Sequence, residues 1–369
     1  MPWLHLHVGN GGYVKACCVA NITYGNINNQ ALEEIWNDTP INTLRNKFEK
    51  GDPDPRCQTC ISIDRAGGKS IRQETFEHFP DFKITKKNLP KYFDIRFSNV
   101  CNFRCRTCWH GASSKWFDEA KQLKRNIEEK AIIKNIKDFN AFISTSKEAL
   151  LQAEEIYFAG GEPLVTEEHY LLLDFLIKNK LSHIRLRYNT NFSKLKFKDW
   201  NVLALWKQFD HIEVLASIEA THDLGAYIRK EFSWDEFVQN RNTLKKDCPD
   251  VIFKVAPTIS VLNIKHLPEL YQTCINLNLI EADDLYINLV ERPLFYNIKA
   301  LPQEAKNDIT SSFNSLISPQ QLPESISAQF QECIDFMNDE DLSKHWPKFI
   351  KETELIDELR GENYSKFKA

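Results

Sequence analysis

Short apolar segments alternate with longer segments of helical spacing through the middle of the chain. The pattern predicts strands at 92–98, 155–159, 184–188, 212–217, 251–259 and 285–290. It predicts helices near 114–152, 166–180, 198–208, 234–246 and 264–277. Strands that alternate with helices are typical of parallel sheets joined by right-handed crossovers. We therefore expect an α/β fold, a parallel sheet or barrel, with its chemistry at the carboxyl ends of the strands.

The first 62 residues follow a different pattern. Residues 4–8 alternate as a strand does, 9–12 read as a turn, and 13–19 as a second strand. Residues 31–50 have helical spacing, which Pro40 must split into two helices. The chain is thus predicted to contain a small module at 1–62, a charged connection at 63–91, the α/β core at 92–300 and a helical extension at 301–369.

Composition narrows the class of protein. The 369 residues are 42% hydrophobic and 27% charged, which is ordinary for a folded, soluble chain. The net charge of −4 excludes a protein that binds nucleic acid by bulk positive charge. Neither a secretory signal nor an apolar run of membrane-spanning length is visible. We therefore expect a cytoplasmic protein without a membrane partner.

Seven of the ten cysteines fall within the first 108 residues. In a reducing cytoplasm, clustered cysteines indicate metal more often than disulfides. Cys101, Cys105 and Cys108 form a CxxxCxxC loop after the first core strand. Three thiolates so close are expected to bind one metal centre and to leave one coordination position open. A zinc site that pairs Cys105 and Cys108 with the Cys57–Cys60 motif is the alternative.

A second motif follows the second core strand. Gly160, Gly161, Glu162 and Pro163 stand where the strand ends. Glycines at this edge let the backbone approach a ligand closely. Glu162 offers an acceptor to an ammonium group. Alone, the motif could be a turn before a helix, but its position after a CxxxCxxC strand favours a binding loop.

Together, these two motifs resemble those of radical S-adenosylmethionine (radical SAM) enzymes. The resemblance implies a partial (β/α)6 radical SAM barrel with a 4Fe-4S cluster on Cys101, Cys105 and Cys108. It also implies S-adenosyl-L-methionine as the cofactor and an external one-electron reductant of the flavodoxin or ferredoxin type. The implied cofactor-binding residues are Gly160, Gly161, Glu162, Asn189, Asn191, Ser217, Arg229 and Asn263. By resemblance, Ser217 and Arg229 would bind the cofactor carboxylate, and Asn189 or Asn191 its ribose.

The implied reaction is reductive cleavage of the cofactor to a 5′-deoxyadenosyl radical, which abstracts a hydrogen atom from a substrate. The substrate is expected to be a peptide or protein, or alternatively a sugar-type alcohol. No catalytic side chain is identified from the sequence. The competing hypothesis is a non-catalytic zinc or iron–sulfur protein.

The N-terminal module resembles a SPASM/Twitch auxiliary iron–sulfur module. The resemblance rests on the Gly12-x4-Cys17 spacing, on residues 32–37 and on the Cys57-x2-Cys60 motif. It implies a second cluster on Cys17, Cys57 and Cys60. The alternative is that the module is only structural.

The fourth ligand of this second cluster stays open. It could be a cysteine upstream of position 1, Cys18, His5 or His7, or the iron could keep an open position for substrate. Adjacent strand residues point to opposite faces, which disfavours Cys18 beside Cys17. If His5 and His7 are not ligands, we expect them on an exposed strand face.

Overall fold

The computed structural model describes residues 1–65, 70–85, 89–318 and 322–367. Parts of the predicted connection, at 66–69 and 86–88, lie outside the described residues. The strands are β1 (His5–Val8), β2 (Tyr13–Lys15), β3 (Thr23–Asn26), β4 (Tyr92–Ile95), β5 (Arg104–Cys105), β6 (Glu155–Phe158), β7 (Arg185–Thr190), β8 (Lys196–Phe197), β9 (Trp200–Asn201), β10 (Ile212–Ala216), β11 (Arg229–Lys230), β12 (Ile252–Val255), β13 (Thr258–Ile259) and β14 (Asn288–Leu289).

The α-helices lie mainly between and after these strands. They are α1 (Leu32–Asn37), α2 (Thr39–Glu49), α3 (Gln58–Arg65), α4 (Ile71–His78), α5 (Phe117–Gln122), α6 (Phe139–Leu151), α7 (Glu167–Lys178), α8 (Val202–Trp206), α9 (His222–Ile228), α10 (Trp234–Asp247), α11 (Leu267–Asn276), α12 (Gln303–Ile317), α13 (Glu324–Asp339) and α14 (Trp346–Arg360). Within the described residues, no helix is both long enough and apolar enough to cross a membrane.

The chain divides into two compact units. The first contains Met1–Val100, Lys130–Asn189 and Lys196–Ile212. Its sheet has the strand order β7-β6-β4-β1-β2-β3. Strands β7, β6, β4 and β1 are parallel, and β2 and β3 continue the sheet antiparallel. The N-terminal strand β1 is therefore part of the same sheet as the core strand β4.

The two faces of this sheet differ in chemistry. Phe93 and Ile95 of β4 and Phe158 of β6 are apolar, buried and on one face. Helix α7 covers that face, and its His169 ring lies 4.9 Å from the Phe158 ring. Because side chains alternate along a strand, Asp94 falls on the opposite face with the other polar residues.

The second unit contains Cys101–Glu129, Thr190–Leu195 and Glu213–Ala369. Within this unit, β10 pairs with β12 and β13 with β14 in parallel, and β5 pairs with β11 antiparallel. Helices α12 and α13 pack through the rings of Phe313 and Phe330, whose centroids are 4.8 Å apart. These helices and α14 form the predicted helical extension.

Parallel strands with helical connections confirm the α/β class, and the strand order is open, as a partial barrel requires. Pro40 lies in the first turn of α2, as predicted, where its missing N–H has no intrahelical acceptor to lose. The helical stretch expected near 114–152 is present but interrupted. It is split into α5 and α6, and Lys124, with φ 50°, ends the first of them in a conformation that a helix cannot continue.

Candidate metal centres and cofactor loop

The cysteine loop is held by backbone hydrogen bonds and by an indole. Cys105 lies on β5, opposite Arg229 of β11. The N–H of Cys108 donates to the Cys105 carbonyl oxygen at 3.0 Å, and Trp116 Nε1 donates to the same oxygen at 2.8 Å. The N–H of Cys101 donates to Ser114 Oγ at 3.4 Å. The spacing of three cysteines therefore folds into a loop that is fixed at each of them.

Arg106, between the second and third cysteines, anchors this loop to the C-terminal helix. Its side chain is fully buried and donates through Nη2 to Asp357 at 2.5 Å and to Glu362 at 2.6 Å. Its guanidinium also stacks over the Tyr227 ring at 3.7 Å. Sequence reasoning missed this role, because nothing in the loop indicates a partner some 250 residues away.

Burial dominates the electrostatics of two of the three thiols, those of Cys105 and Cys108. It raises the pKa of Cys108 to about 11 and that of Cys105 further, and the neighbouring thiols add to both shifts. The thiols must lose their protons to bind metal, so a cation in the loop would offset this penalty. Among the described residues, however, no three His, Cys, Asp or Glu side chains lie close enough together to hold a single metal ion.

Arg229 already has an anionic partner. Its Nη1 donates to both carboxylate oxygens of Glu219, at 2.8 and 2.7 Å, and it is 9% exposed. Burial lowers the pKa of Arg229, but Cys105 and Glu219 more than offset this and raise it. The predicted carboxylate-binding arginine is therefore charged, beside the cysteine loop, and paired with Glu219.

The Gly160–Gly161 loop needs glycine for two reasons. Both residues have positive φ, 78° and 58°. A Cβ on Gly161 would lie 2.3 Å from the Val100 carbonyl oxygen, and one on Gly160 would lie 2.9 Å from Arg96 Cβ. Sequence reasoning expected the close approach to be to a ligand. The structure adds an approach to the backbone just before the cysteine loop.

Glu162 is almost fully buried at the end of this loop. Its N–H donates to the Val100 carbonyl oxygen at 2.7 Å, and its Oε1 accepts from the N–H of Leu164 at 2.9 Å. It is 1% exposed. The carboxylate is therefore fixed by the turn that opens the next segment.

The remaining predicted cofactor residues differ in their surroundings. Asn263 is fully buried, and its side chain bonds the backbone of Glu219 at 2.9 Å and that of Ser260 at 2.7 Å. Asn191 is buried and bonds Asn102 and Ser193, which ties it to the loop after β7.

The other two predicted cofactor residues, Asn189 and Ser217, are not fixed by side-chain hydrogen bonds in the way that Asn263 and Asn191 are. Asn189 Oδ1 is buried and has no hydrogen-bond partner among the described residues. Ser217 is half-buried, and its N–H donates to the Thr190 carbonyl oxygen at 2.8 Å. Because its buried acceptor has no partner, Asn189 is a stronger candidate for a ligand contact than Asn191.

One cavity is lined by all three N-terminal cysteines. Cys17 follows β2, Cys57 ends a short turn opened by Asp54, and Cys60 lies in α3. Asp54 fixes this turn by accepting from Arg56 at 2.7 Å and from Lys47 at 3.1 Å. The other lining residues are mostly apolar: Met1, Pro2, Trp3, Ala16, Val19, Ala20, Leu44, Phe48, Arg56, Thr59, Ile61, Ile71, Arg72 and Phe76.

The alternative ligands for this cavity point elsewhere. Cys18, His5 and His7 are not among its lining residues. Cys18 is exposed, and the charges of Asp94 and Arg96 act on its thiol. The neighbouring Cys17 and Cys18 thus face different surroundings, although neither lies in a strand.

His5 and His7 are not on an exposed strand face, so that expectation is wrong. They are 1% and 5% exposed, because β1 is flanked by β2 and β4. His5 Nδ1 lies 3.1 Å from the Ala16 carbonyl oxygen, and His7 Nδ1 lies 2.7 Å from Asp94 Oδ2. Sequence reasoning also missed Asp94 and Arg96. The available signal was that two charged residues stand two positions apart on a predicted strand, so that both side chains lie on the same face of the sheet.

Residues 1–61 match the family model SPASM, an iron-sulfur cluster-binding domain. The match confirms the predicted SPASM-type module and an iron–sulfur cluster among its cofactors. No curated protein matches the sequence.

The chain also has similarity to solved structures. Streptococcus suis SuiB bound to precursor peptide SuiA is 13% identical, with a TM-score of 0.42, over 77% of this chain and 60% of that one. Native anSMEcpe with bound AdoMet is 16% identical, with a TM-score of 0.41, over 63% of this chain and 66% of that one. The chain thus spans less than two thirds of the length of either.

Proposed function

We propose that this chain is a radical SAM enzyme whose cysteine loop binds a 4Fe-4S cluster on Cys101, Cys105 and Cys108. Gly160, Gly161 and Glu162 would bind the amino group of S-adenosylmethionine. When bound, these groups supply a 5′-deoxyadenosyl radical that removes a hydrogen atom from a C–H bond. The protein's own task is to bind and orient them and to exclude water.

The observation that carries this proposal is the contact of the glycine loop with the Val100 carbonyl oxygen. The Glu162 N–H donates to the Val100 carbonyl oxygen at 2.7 Å, and Val100 directly precedes Cys101 in the chain. Gly161 packs against the same carbonyl. A zinc module or an electron carrier needs clustered cysteines, but it has no use for a glycine loop that ends in a buried carboxylate.

The residues present fit the implied groups. Three half-buried thiols lie on one loop with an arginine beside them. Arg229 compensates negative charge at the cysteines, and its unpartnered buried Nε is a further donor for a carboxylate. Asn189 Oδ1 offers an unpartnered acceptor to a ribose hydroxyl. We assign Ser217 to the carboxylate as well, and Asn191 and Asn263 to the support of the loops.

The N-terminal cavity would hold the auxiliary cluster on Cys17, Cys57 and Cys60. Its mostly apolar lining suits a buried cluster. Cys18, His5 and His7 are left out of this ligand set because they do not line the cavity.

The substrate class proposed from the sequence is a peptide or protein, with a sugar-type alcohol as the alternative. SuiB, in its solved structure, is bound to its precursor peptide. A reductant of the flavodoxin or ferredoxin type would deliver the electron. The division of the chain at 62, 91 and 300 is retained as part of the proposal.

Anaerobic reconstitution with iron and sulfide, followed by assay for 5′-deoxyadenosine, tests the proposal. The triple variant Cys101→Ala/Cys105→Ala/Cys108→Ala should form none. A matched control replaces three buried cysteines that belong to neither cluster, Cys248, Cys274 and Cys333, and should keep the activity. Product formation by the first variant, or a zinc-filled wild type that forms none, would overturn the proposal.

A further inference from the structure

An exposed tryptophan directly follows the last cysteine of the cysteine loop. Trp109 is 55% exposed, and Cys108 Sγ lies 3.8 Å from its carbonyl oxygen. A single exposed apolar side chain is common on protein surfaces, so its exposure alone indicates nothing. Two further observations distinguish Trp109: its ring is fixed by its neighbours, and it stands in a positively charged groove.

The indole ring of Trp109 is held in place by the next two residues of the chain. A Cβ on Gly111 would lie 2.2 Å from Trp109 Cη2, and the three atoms nearest to it all belong to the indole. Gly111 does not have a positive φ, so its backbone conformation does not require glycine. The ring of His110 packs edge-on against the indole, with ring centroids 5.0 Å apart. Gly111 therefore makes room for the indole, and the loop keeps this aromatic ring at one place on the surface.

Trp109 lines a surface groove together with two other segments of the second unit. One segment follows the last predicted core strand, and the other is the start of α14. The remaining lining residues are Arg292, Pro293, Leu294, Phe295, His345 and Lys348. The groove thus combines two aromatic rings and two aliphatic side chains with three basic ones.

The charge of this groove is positive and uncompensated. Arg292 and Lys348 are exposed, and neither forms an ion pair with any of the described residues. Lys348 Nζ lies 5.2 Å from the centroid of the Phe295 ring. No acidic side chain is among the described residues that line the groove. Glu352, one turn after Lys348 in α14, is paired with Arg125. The whole chain carries a net charge of −4, so this surface differs in sign from the average.

A positive rim around an aromatic centre fits an acidic protein surface that exposes an aromatic group. The exposed edge of a protein-bound flavin is such a group, and aromatic rings pair favourably with Trp109 and Phe295. Acidic side chains around the flavin would pair with Arg292 and Lys348 and steer the encounter. Transient redox complexes bury little area, so an open groove is sufficient. A carrier whose redox centre is an iron–sulfur cluster presents no aromatic ring to the centre of this groove.

We propose that the groove around Trp109, Arg292 and Lys348 is the docking site of an acidic, flavodoxin-type electron carrier. One electron leaves the flavin, which goes from hydroquinone to semiquinone, and enters the cluster held by the cysteine loop, which goes from its oxidised to its reduced state. No covalent bond forms or breaks. Because Trp109 directly follows Cys108, the electron arrives beside a cysteine of the loop. This inference rests on the proposed function.

Calorimetric titration of purified flavodoxin into the reconstituted holoenzyme tests the docking site. Arg292→Glu/Lys348→Glu should weaken binding about tenfold or more, because two attractive contacts become repulsive. Trp109→Ala should weaken it by a similar factor, since a central tryptophan is a frequent hot spot. Raising the salt concentration from about 50 mM to about 500 mM should weaken wild-type binding and should affect the double charge variant less.

Lys246→Glu/Lys265→Glu is the matched control. It changes the net charge by the same amount at two exposed lysines of the second unit that do not line the groove. Lys246 lines a different groove, along α10, which also contains Asp235. The control should bind flavodoxin as the wild type does.

Electron delivery gives the second measurement. 5′-Deoxyadenosine is assayed with reduced flavodoxin below saturation and, separately, with dithionite, a small reductant that needs no protein docking site. Arg292→Glu/Lys348→Glu should lose about tenfold of the flavodoxin-driven rate and keep the dithionite-driven rate of the wild type.

The proposal is overturned if flavodoxin neither binds nor reduces a wild type that forms 5′-deoxyadenosine with dithionite, or if the double charge variant binds flavodoxin as tightly as the control does. Binding of a ferredoxin or of a single-stranded RNA that is lost in the double charge variant, while flavodoxin binding is unchanged, also overturns it. Absence of 5′-deoxyadenosine with dithionite in every sample would reject the proposed function, whereas the binding titration decides the docking site by itself.

Discussion

Replacement of Gly161 by alanine tests how tightly the glycine loop packs against the backbone of residues 98–100. The new Cβ would lie 2.3 Å from the Val100 carbonyl oxygen and 3.0 Å from backbone atoms of Asn99 and Ser98. These are main-chain atoms, so no flexible side chain can move aside. The φ of 58° adds the cost of a left-handed conformation.

The loss of stability caused by Gly161→Ala is the sum of a conformational cost and a packing cost. A left-handed conformation costs an L-residue about 1–2 kcal/mol, and forced overpacking costs about 1–3 kcal/mol. Gly161→Ala should therefore lower the free energy of unfolding by about 2–5 kcal/mol. Gly361→Ala is the matched control, because Gly361 has φ 64° and no atom within 4 Å of its Cβ position. Gly361→Ala should therefore lose stability only through the cost of the left-handed conformation.

Urea unfolding of the anaerobic protein, followed by tryptophan fluorescence, measures the difference between the two variants. The gain from a less flexible unfolded chain, about 0.4–1 kcal/mol, is common to both and cancels. Gly161→Ala should be less stable than Gly361→Ala by about 1–3 kcal/mol. Equal stability of the two variants would refute the reasoning, since it would mean that the Gly161 contact carries no free energy.

Three further results are expected. Glu162→Gln should weaken SAM binding about tenfold in calorimetric titration, because a charged hydrogen bond is worth about 1.5–3 kcal/mol, and unchanged affinity would contradict the contact. Cys57→Ala/Cys60→Ala should lower the iron content from about eight to about four atoms per chain, whereas Cys18→Ala should leave it unchanged. Iron analysis and Mössbauer spectra measure this, and an unchanged iron content in the double variant would contradict the assignment. Burial lowers the pKa of His169 to about 3. Stability should therefore fall as pH drops from about 6.5 towards 3, by up to about 1.4 kcal/mol per pH unit from this group, because only the unfolded state takes up the proton. His169→Leu should flatten that part of the stability profile, and an unchanged profile would contradict it.

The local elements could be predicted from the sequence because they depend on short-range periodicity. Each of the six predicted core strand segments contains or overlaps an observed strand, and Pro40 marks the division of α1 from α2. Strand partners are set by contacts distant in sequence. Alternation in residues 4–8 identified β1, but it could not show that β1 pairs with β4. The burial of His5 and His7 follows from that pairing, so it was not predictable either.

The candidate site likewise has a part that the sequence predicts and a part that it does not. The cysteine loop and the glycine loop could be identified because the chemistry needs those residue types at a fixed spacing. The partners that hold them, such as Arg106 with Asp357, come from remote parts of the chain and leave no local pattern. Gly161 was expected to make room for a ligand, but its contact with the Val100 carbonyl oxygen depends on tertiary packing.

The most direct test of the central claim is the amount of 5′-deoxyadenosine formed from S-adenosylmethionine by the anaerobically reconstituted, reduced protein, with methionine measured in the same samples. The account predicts 5′-deoxyadenosine and methionine in a one-to-one ratio, more than one equivalent per chain over time, and none after the three cysteines of the loop are replaced. Iron-replete, reduced protein that binds S-adenosylmethionine but leaves it intact would contradict it.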